Sequence, residues 1–122
     1  MTDQPATSFK AVRADLPAAS GVAIHGEVDV AAVPALERAL EAAIETSAGG
    51  FVVDLSGVEF MDSSGLLAML NARGLLAREG RALAVVCPAG PVRQLLEVAG
   101  VSDLLVVCDS REHAEAAVRP QS

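Results

Sequence analysis

The apolar residues of this chain keep changing their spacing, from every second residue to every third or fourth and back again. Spacing by two marks a strand, and spacing by three and four marks a helix. Thr7 to Ala14 and Gly21 to Glu27 read as two short strands. The turn signals around Asp15 to Ser20, Pro17 among them, predict a hairpin or an antiparallel edge pair. From Pro34 to about Thr46, Leu36, Leu40, Ala43 and Ile44 recur at helical spacing, with Glu37, Arg38, Glu41 and Glu45 between them. Pro34 lies early in this segment, where a missing amide costs little. Ala48, Gly49 and Gly50 end it. Phe51 to Leu55 is expected as a third strand and Ser56 to Met61 as a connection. Ser63 to about Glu79 is expected as a helix with Leu66, Leu67, Leu70, Gly74 and Ala77 inward. Ala82 to Cys87 reads as a fourth strand, Gly90 to Ala99 as a helix with Val92, Leu95 and Leu96 inward, and Leu104 to Cys108 as a fifth strand. Ser110 caps a last short helix carrying Ala114, Ala117 and Val118. The tail from Arg119 to Ser122 reads as frayed.

Strands alternating with helices at this rhythm predict βα units around a mostly parallel five-strand sheet with an antiparallel edge strand. Val22 and Ile24 alternate with Ala23 and His25, and Phe51, Val53 and Leu55 with Val52 and Asp54. Such alternation predicts about four helices mainly on one face, with the other face partly wet. The 122 residues fit a single domain, 1–122, with its core over about 7–118. With no Trp or Tyr, the core must come from Leu, Val, Ile and Ala, with Phe9, Phe51 and Phe60 as fillers.

The formal charge of −7 disfavours nucleic acid and anionic lipid, which need a basic footprint. It suits a partner with a basic docking face, or simply confers solubility. Cys87 and Cys108 close two apolar runs, show no C-x-x-C and do not cluster with histidine, so they read as small buried hydrophobes and no metal site is expected. MTDQPATSF lacks a basic region and an apolar stretch, and no apolar run approaches the roughly 20 residues of a spanning helix. A cytoplasmic protein is expected.

The chemistry concentrates in FVVDLSGVEFMDSSGLLAML. A strand leads to a helix beginning at or beside Ser63, so Asp62, Ser63 and Ser64 crowd the helix start. Capping alone accounts for such residues, because the first helical amides lack partners. The same geometry also exposes a serine hydroxyl beside the positive end of a helix, where a phosphate is tolerated.

VVDLSGVEFMDSSGL resembles the signature of the STAS domain (sulphate transporter and anti-sigma factor antagonist), and most closely that of free-standing bacterial anti-sigma factor antagonists. GEVDVAAVPAL and PAGPVRQLLEVAGVSDLL are similar to the family's turn into its first helix and to its later helix and strand, so the likeness covers most of the chain. The resemblance implies a partner switch. The serine directly after the motif's aspartate, Ser63, is the expected phosphoacceptor, with Ser64 as second choice. The kinase is expected to be the anti-sigma factor itself, which the unphosphorylated antagonist binds, releasing a sigma factor. A metal-dependent serine phosphatase is expected to reverse the modification. Asp29, Asp62, Ser63, Ser64 and Gly65 are the expected partner-binding residues, Asp29 doubling as a cap and Gly65 either admitting a partner or easing local packing. No cofactor is implied, and a monomer or weak dimer is expected. One departure is Ala32, where relatives often carry a hydroxyl three positions after the aspartate.

Two other classes compete. A Ser63–Asp62–histidine triad needs a histidine within reach, and only His25 and His113 exist. No G-x-S-x-G elbow or phosphate-binding glycine loop is present, so no enzyme is expected. A non-catalytic STAS scaffold subunit of a stress-signalling or transporter complex is the alternative, and it would appear in large assemblies.

Overall fold

The computed structural model describes residues 9–119. Its strands are β1 (Lys10–Arg13), β2 (Ser20–Val28), β3 (Phe51–Met61), β4 (Leu83–Val86) and β5 (Val106–Cys108). Its helices are α1 (Val33–Glu45), α2 (Ser63–Ala77), α3 (Pro91–Val98) and α4 (Arg111–Val118), with a 3-10 turn at Val101–Asp103. The expected strand start at Thr7 and Ser8 and the tail from Pro120 to Ser122 lie outside the described residues.

The strands stand side by side in chain order, β1-β2-β3-β4-β5. β1 is antiparallel to β2, and every other pair is parallel. This is the mixed sheet that the βα rhythm predicts. α1, α2 and α3 cover one face, closing a core around Ile24, Leu36, Phe51, Val53, Met69 and Leu96. No helix among the described residues is long and apolar enough to cross a membrane.

The structure corrects three expectations and sharpens a fourth, that of a partly wet far face. Ser56 to Met61 is the second half of β3 and not a connection. β3 runs eleven residues and β2 nine, and the register slips between Ala23 and His25 and again between Gly26 and Glu27. Each slip inserts an extra residue in β3 and breaks the alternation by which a strand is read. Second, the far face is not wet at its centre. α4 seals it with Ala114 and Val118 over Val52, Ala84 and Val86, while Ala117 faces solvent. Third, the buried side of α2 carries Gly65, Leu66, Ala68, Met69, Ala72 and Leu76, whereas Leu67, Gly74 and Ala77 are exposed. Leucines at 66, 67, 70, 75 and 76 surround this helix, so their spacing singles out no face. Fourth, Phe60 is exposed, although Phe51 is fully buried.

At the end of the sheet where α1 finishes, the buried Arg81 side chain donates to the carbonyls of Ile44 (3.0 Å) and Gly49 (2.7 Å) and to Ser47 Oγ (2.8 Å). It closes the negative end of α1, where a cation is favoured. The opposite end of the sheet is left to the strand ends.

Candidate functional site

β2 and β3 are parallel neighbours, and their last residues, Val28 and Met61, are paired. The Asp62 amide donates to the Val28 carbonyl at 3.2 Å. Two chain corners therefore leave the sheet side by side, one carrying Asp29 and the other Asp62, Ser63 and Ser64.

Asp62 is the cap of α2. Its Oδ1 accepts the Ser64 amide at 2.9 Å and the Ser64 hydroxyl at 2.8 Å. The Ser64 hydroxyl is the main reason that its carboxyl sits below the usual aspartate range; slight burial opposes this, and nearby backbone amides add to the lowering. Ser63 is exposed, and its hydroxyl has no hydrogen-bond partner among the described residues. The two serines thus differ: one hydroxyl is engaged by the cap and the other is free at the first position of the helix. Gly65 is buried, and a Cβ there would come within 2.7 Å of Val28 Cγ1 and 2.9 Å of Met61 Cγ. Its lack of a side chain lets α2 seat on the ends of both strands.

Asp29 makes the matching turn. Its Oδ1 accepts the amides of Ala31 (3.1 Å) and Ala32 (3.2 Å). Ala32, at the formal start of α1, makes no side-chain cap, so Asp29 supplies this one turn earlier. Between and beside the corners lie Val30, 70% exposed, and Leu67, 58% exposed and one turn along α2 from Ser63. Sequence reasoning missed both as surface residues because each belongs to an apolar run.

It also missed a buried carboxylate farther back along β3. Asp54, 6% exposed on β3, accepts the Ser56 hydroxyl (2.5 Å) and amide (2.8 Å) and the guanidinium of Arg111 at the start of α4 (2.6 Å). Burial works to raise its pKa, but the hydrogen bonds from Ser56 and the Arg111 charge outweigh it and hold the carboxyl below the usual range. A charged residue within a run of buried valine and leucine was the available signal.

The remaining titratable groups stand apart. His25 and His113 are exposed, and neither bonds the Ser63 hydroxyl. Cys87 donates its amide to the Cys108 carbonyl at 2.9 Å, yet its side chain joins the main core while Cys108 packs on the α4 side. Both are free, and burial pushes both thiols up. No group of three or more metal-ligating side chains occurs among the described residues.

A mixed sheet of this order, with a capped, serine-bearing corner at its open end, defines a small βα domain. Residues 14–114 match the STAS domain family, and the chain belongs to that family. It is 30% identical over 91 residues to the anti-sigma-B factor antagonist of Staphylococcus aureus (strain NCTC 8325 / PS 47), covering 75% of this chain and 84% of the relative. The crystal structure of an anti-sigma factor antagonist from Mycobacterium paratuberculosis superposes with a TM-score of 0.84 at 30% identity, over 93% of this chain and 96% of that one. The Bacillus cell fate determinant SpoIIAA in its phosphorylated form shares the fold, with a TM-score of 0.64 at 19% identity over 92% of this chain and all of that one.

Proposed function

We propose that this chain is a cytoplasmic, non-enzymatic anti-sigma factor antagonist switched by phosphorylation of Ser63. The observation that carries the reading is the free hydroxyl of Ser63 at the first position of α2, in a chain 30% identical to named antagonists. Unmodified, the corner pair Asp29 and Asp62–Ser64 docks an anti-sigma factor that is also a serine kinase, and a sigma factor is released. Gly65 serves this surface from beneath by seating the helix. Ser63 Oγ then attacks the γ-phosphorus of ATP, ADP leaves, and the hydroxyl proton passes to solvent. A metal-dependent serine phosphatase hydrolyses the phosphoserine to serine and inorganic phosphate.

The modification adds about −1.5 to −2 charges at pH 7. Ser63 holds no fold contact to lose, and the Ser64 amide is already taken by Asp62. Solvent screens repulsion from Asp62 at an exposed position. A partner surface fitted to a neutral serine must instead desolvate a dianion or clash with it. The phosphate thus acts by blocking docking and leaves the domain folded. A related fold solved in a phosphorylated form supports the same view.

The test is phosphorylation by the cognate kinase with ATP, followed by mass spectrometry and binding measurements. Phosphate is expected on Ser63, and affinity should drop by about 100-fold or more. Ser63→Ala should stay permanently competent to bind, and Ser63→Asp should bind weakly. Phosphate solely on Ser64, or full affinity of the Ser63-phosphorylated chain, would overturn the assignment.

A further inference from the structure

Taking the antagonist reading above as its basis, we infer that the groove between α1 and α2 receives a basic amphipathic helix of the anti-sigma factor, extending the contact at Ser63 down the length of α2. The groove encloses about 390 Å³. Leu40, Ala72 and Leu75 make an apolar floor, with Glu37 and Glu41 along the α1 wall and Gly74 and Arg78 along the other.

Ser63, Leu67, Asn71, Gly74 and Arg78 follow one another at steps of four, four, three and four residues, which is one line along the outside of a helix. Asn71, Gly74 and Arg78 line the groove, so it opens on the same side of α2 as the serine corner. Gly74 is the feature that the fold leaves unexplained. It lies in the last turn of α2, where glycine weakens a helix by at most about fivefold in its equilibrium relative to alanine. A Cβ there would meet nothing within 4 Å. This is unlike Gly65, whose missing side chain makes room for Val28 and Met61. A bare turn facing open space on the same side of α2 as the docking corner gains a reason when another chain closes on it.

The charges choose the occupant. Glu37 and Glu41 stand four residues apart on one wall, a repulsive spacing, and neither forms an ion pair among the described residues. Arg78 on the opposite wall is the one cation among the lining residues, so the groove stays net acidic and the α1 wall calls for cations. A second copy of this chain, at −7, brings the wrong sign. Both walls are helices with their backbone hydrogen bonds closed internally, so they offer no edge to an added strand. An incoming helix with an apolar stripe fits instead.

The experiment uses the full chain and each purified anti-sigma factor of the same organism. Gly74→Ala should raise the melting temperature of the free chain and lower affinity several-fold; Gly74→Leu should lower affinity at least tenfold without lowering the melting temperature. Glu37→Lys with Glu41→Lys should cost about tenfold and flatten the salt dependence of binding. Hydrogen exchange of the complex should show protection over 37–41 and 70–78. If Ser63→Asp abolishes binding while the groove variants bind as the parent does, the groove is overturned and the antagonist reading stands. If the unmodified chain binds no anti-sigma factor, both fall. Self-association of the free chain that Gly74→Leu abolishes would assign the groove to a second copy and overturn the proposal.

Discussion

At the β2–α1 corner, Asp29 accepts the amides two and three residues on; at the neighbouring β3–α2 corner, Asp62 accepts the amide two residues on. The two aspartates follow paired strand ends, so the corners match residue for residue: Val30 with Ser63, Ala31 with Ser64, Ala32 with Gly65. The first corner is apolar after its cap. The second has a free hydroxyl, a hydroxyl spent on the cap, and a buried glycine. The difference extends into the strands, where Ala23 on β2 pairs with Asp54 on β3. Capping is thus common to both turns and marks neither as functional. What sets the serine corner apart is an unengaged hydroxyl on a helix start that Gly65 lets pack closely on both strand ends.

That packing can be broken at Gly65. Gly65→Val drives a branched side chain into Val28 and Met61, and the expected cost is about 3 kcal/mol. The melting temperature should fall by roughly 10 °C or more. Ala32→Val, its counterpart, should cost less than about 1 kcal/mol, since Ala32 already carries a Cβ. Equal losses in thermal melts would show that the corners pack alike.

The part-buried ion pair of β3 and α4 comes next in size. Arg111→Ala leaves the Asp54 carboxylate buried without its cation, at an expected cost of about 1.5 kcal/mol, because Arg111 is itself half exposed and partly screened. The sign with pH follows from the lowered pKa of Asp54. A depressed carboxyl stabilises the fold above its unfolded value of about 3.9, and this is lost as pH falls through the folded value. The gap between parent and Arg111→Ala should therefore be full at pH 7 and shrink below about pH 4. Denaturant melts showing a gap that widens in acid would refute the ion pair as its source.

Much of this was legible before the structure. The change from period two to period 3.6 placed five strands and four helices, because α1 and α3 are amphipathic and their inward residues, Leu36, Leu40, Val92 and Leu96, are buried as expected. The helix start beside Ser63 was legible because Asp and Ser are there to cap it. The second half of β3 was not, since two register slips and Gly57 disrupt the alternation. Nor was the orientation of α2, whose leucines point both ways. The roles of Asp54 and Arg81 depend on partners 57 residues away and up to 37 residues away, and local spacing carries no record of such pairings.

The smallest effects separate cap from contact. Asp62→Ala and Asp29→Ala should each cost about 1 kcal/mol, the usual value of a lost cap. Asp62→Ala should cost a few tenths more, because the Ser64 hydroxyl loses its acceptor too. Asp29→Asn is the sharper probe. Asparagine caps as well as aspartate, so both amide contacts can persist and the melting temperature should hardly move. Only the charge is removed. If Asp29 meets a cation on the anti-sigma factor, affinity should drop about fivefold to tenfold, and the loss should fade as salt rises. Calorimetric titration at two ionic strengths reads this directly. Unchanged affinity for Asp29→Asn, together with a lower melting temperature for Asp29→Ala, would make Asp29 a cap alone, and the two corners would then differ in function as completely as they differ in their hydroxyls.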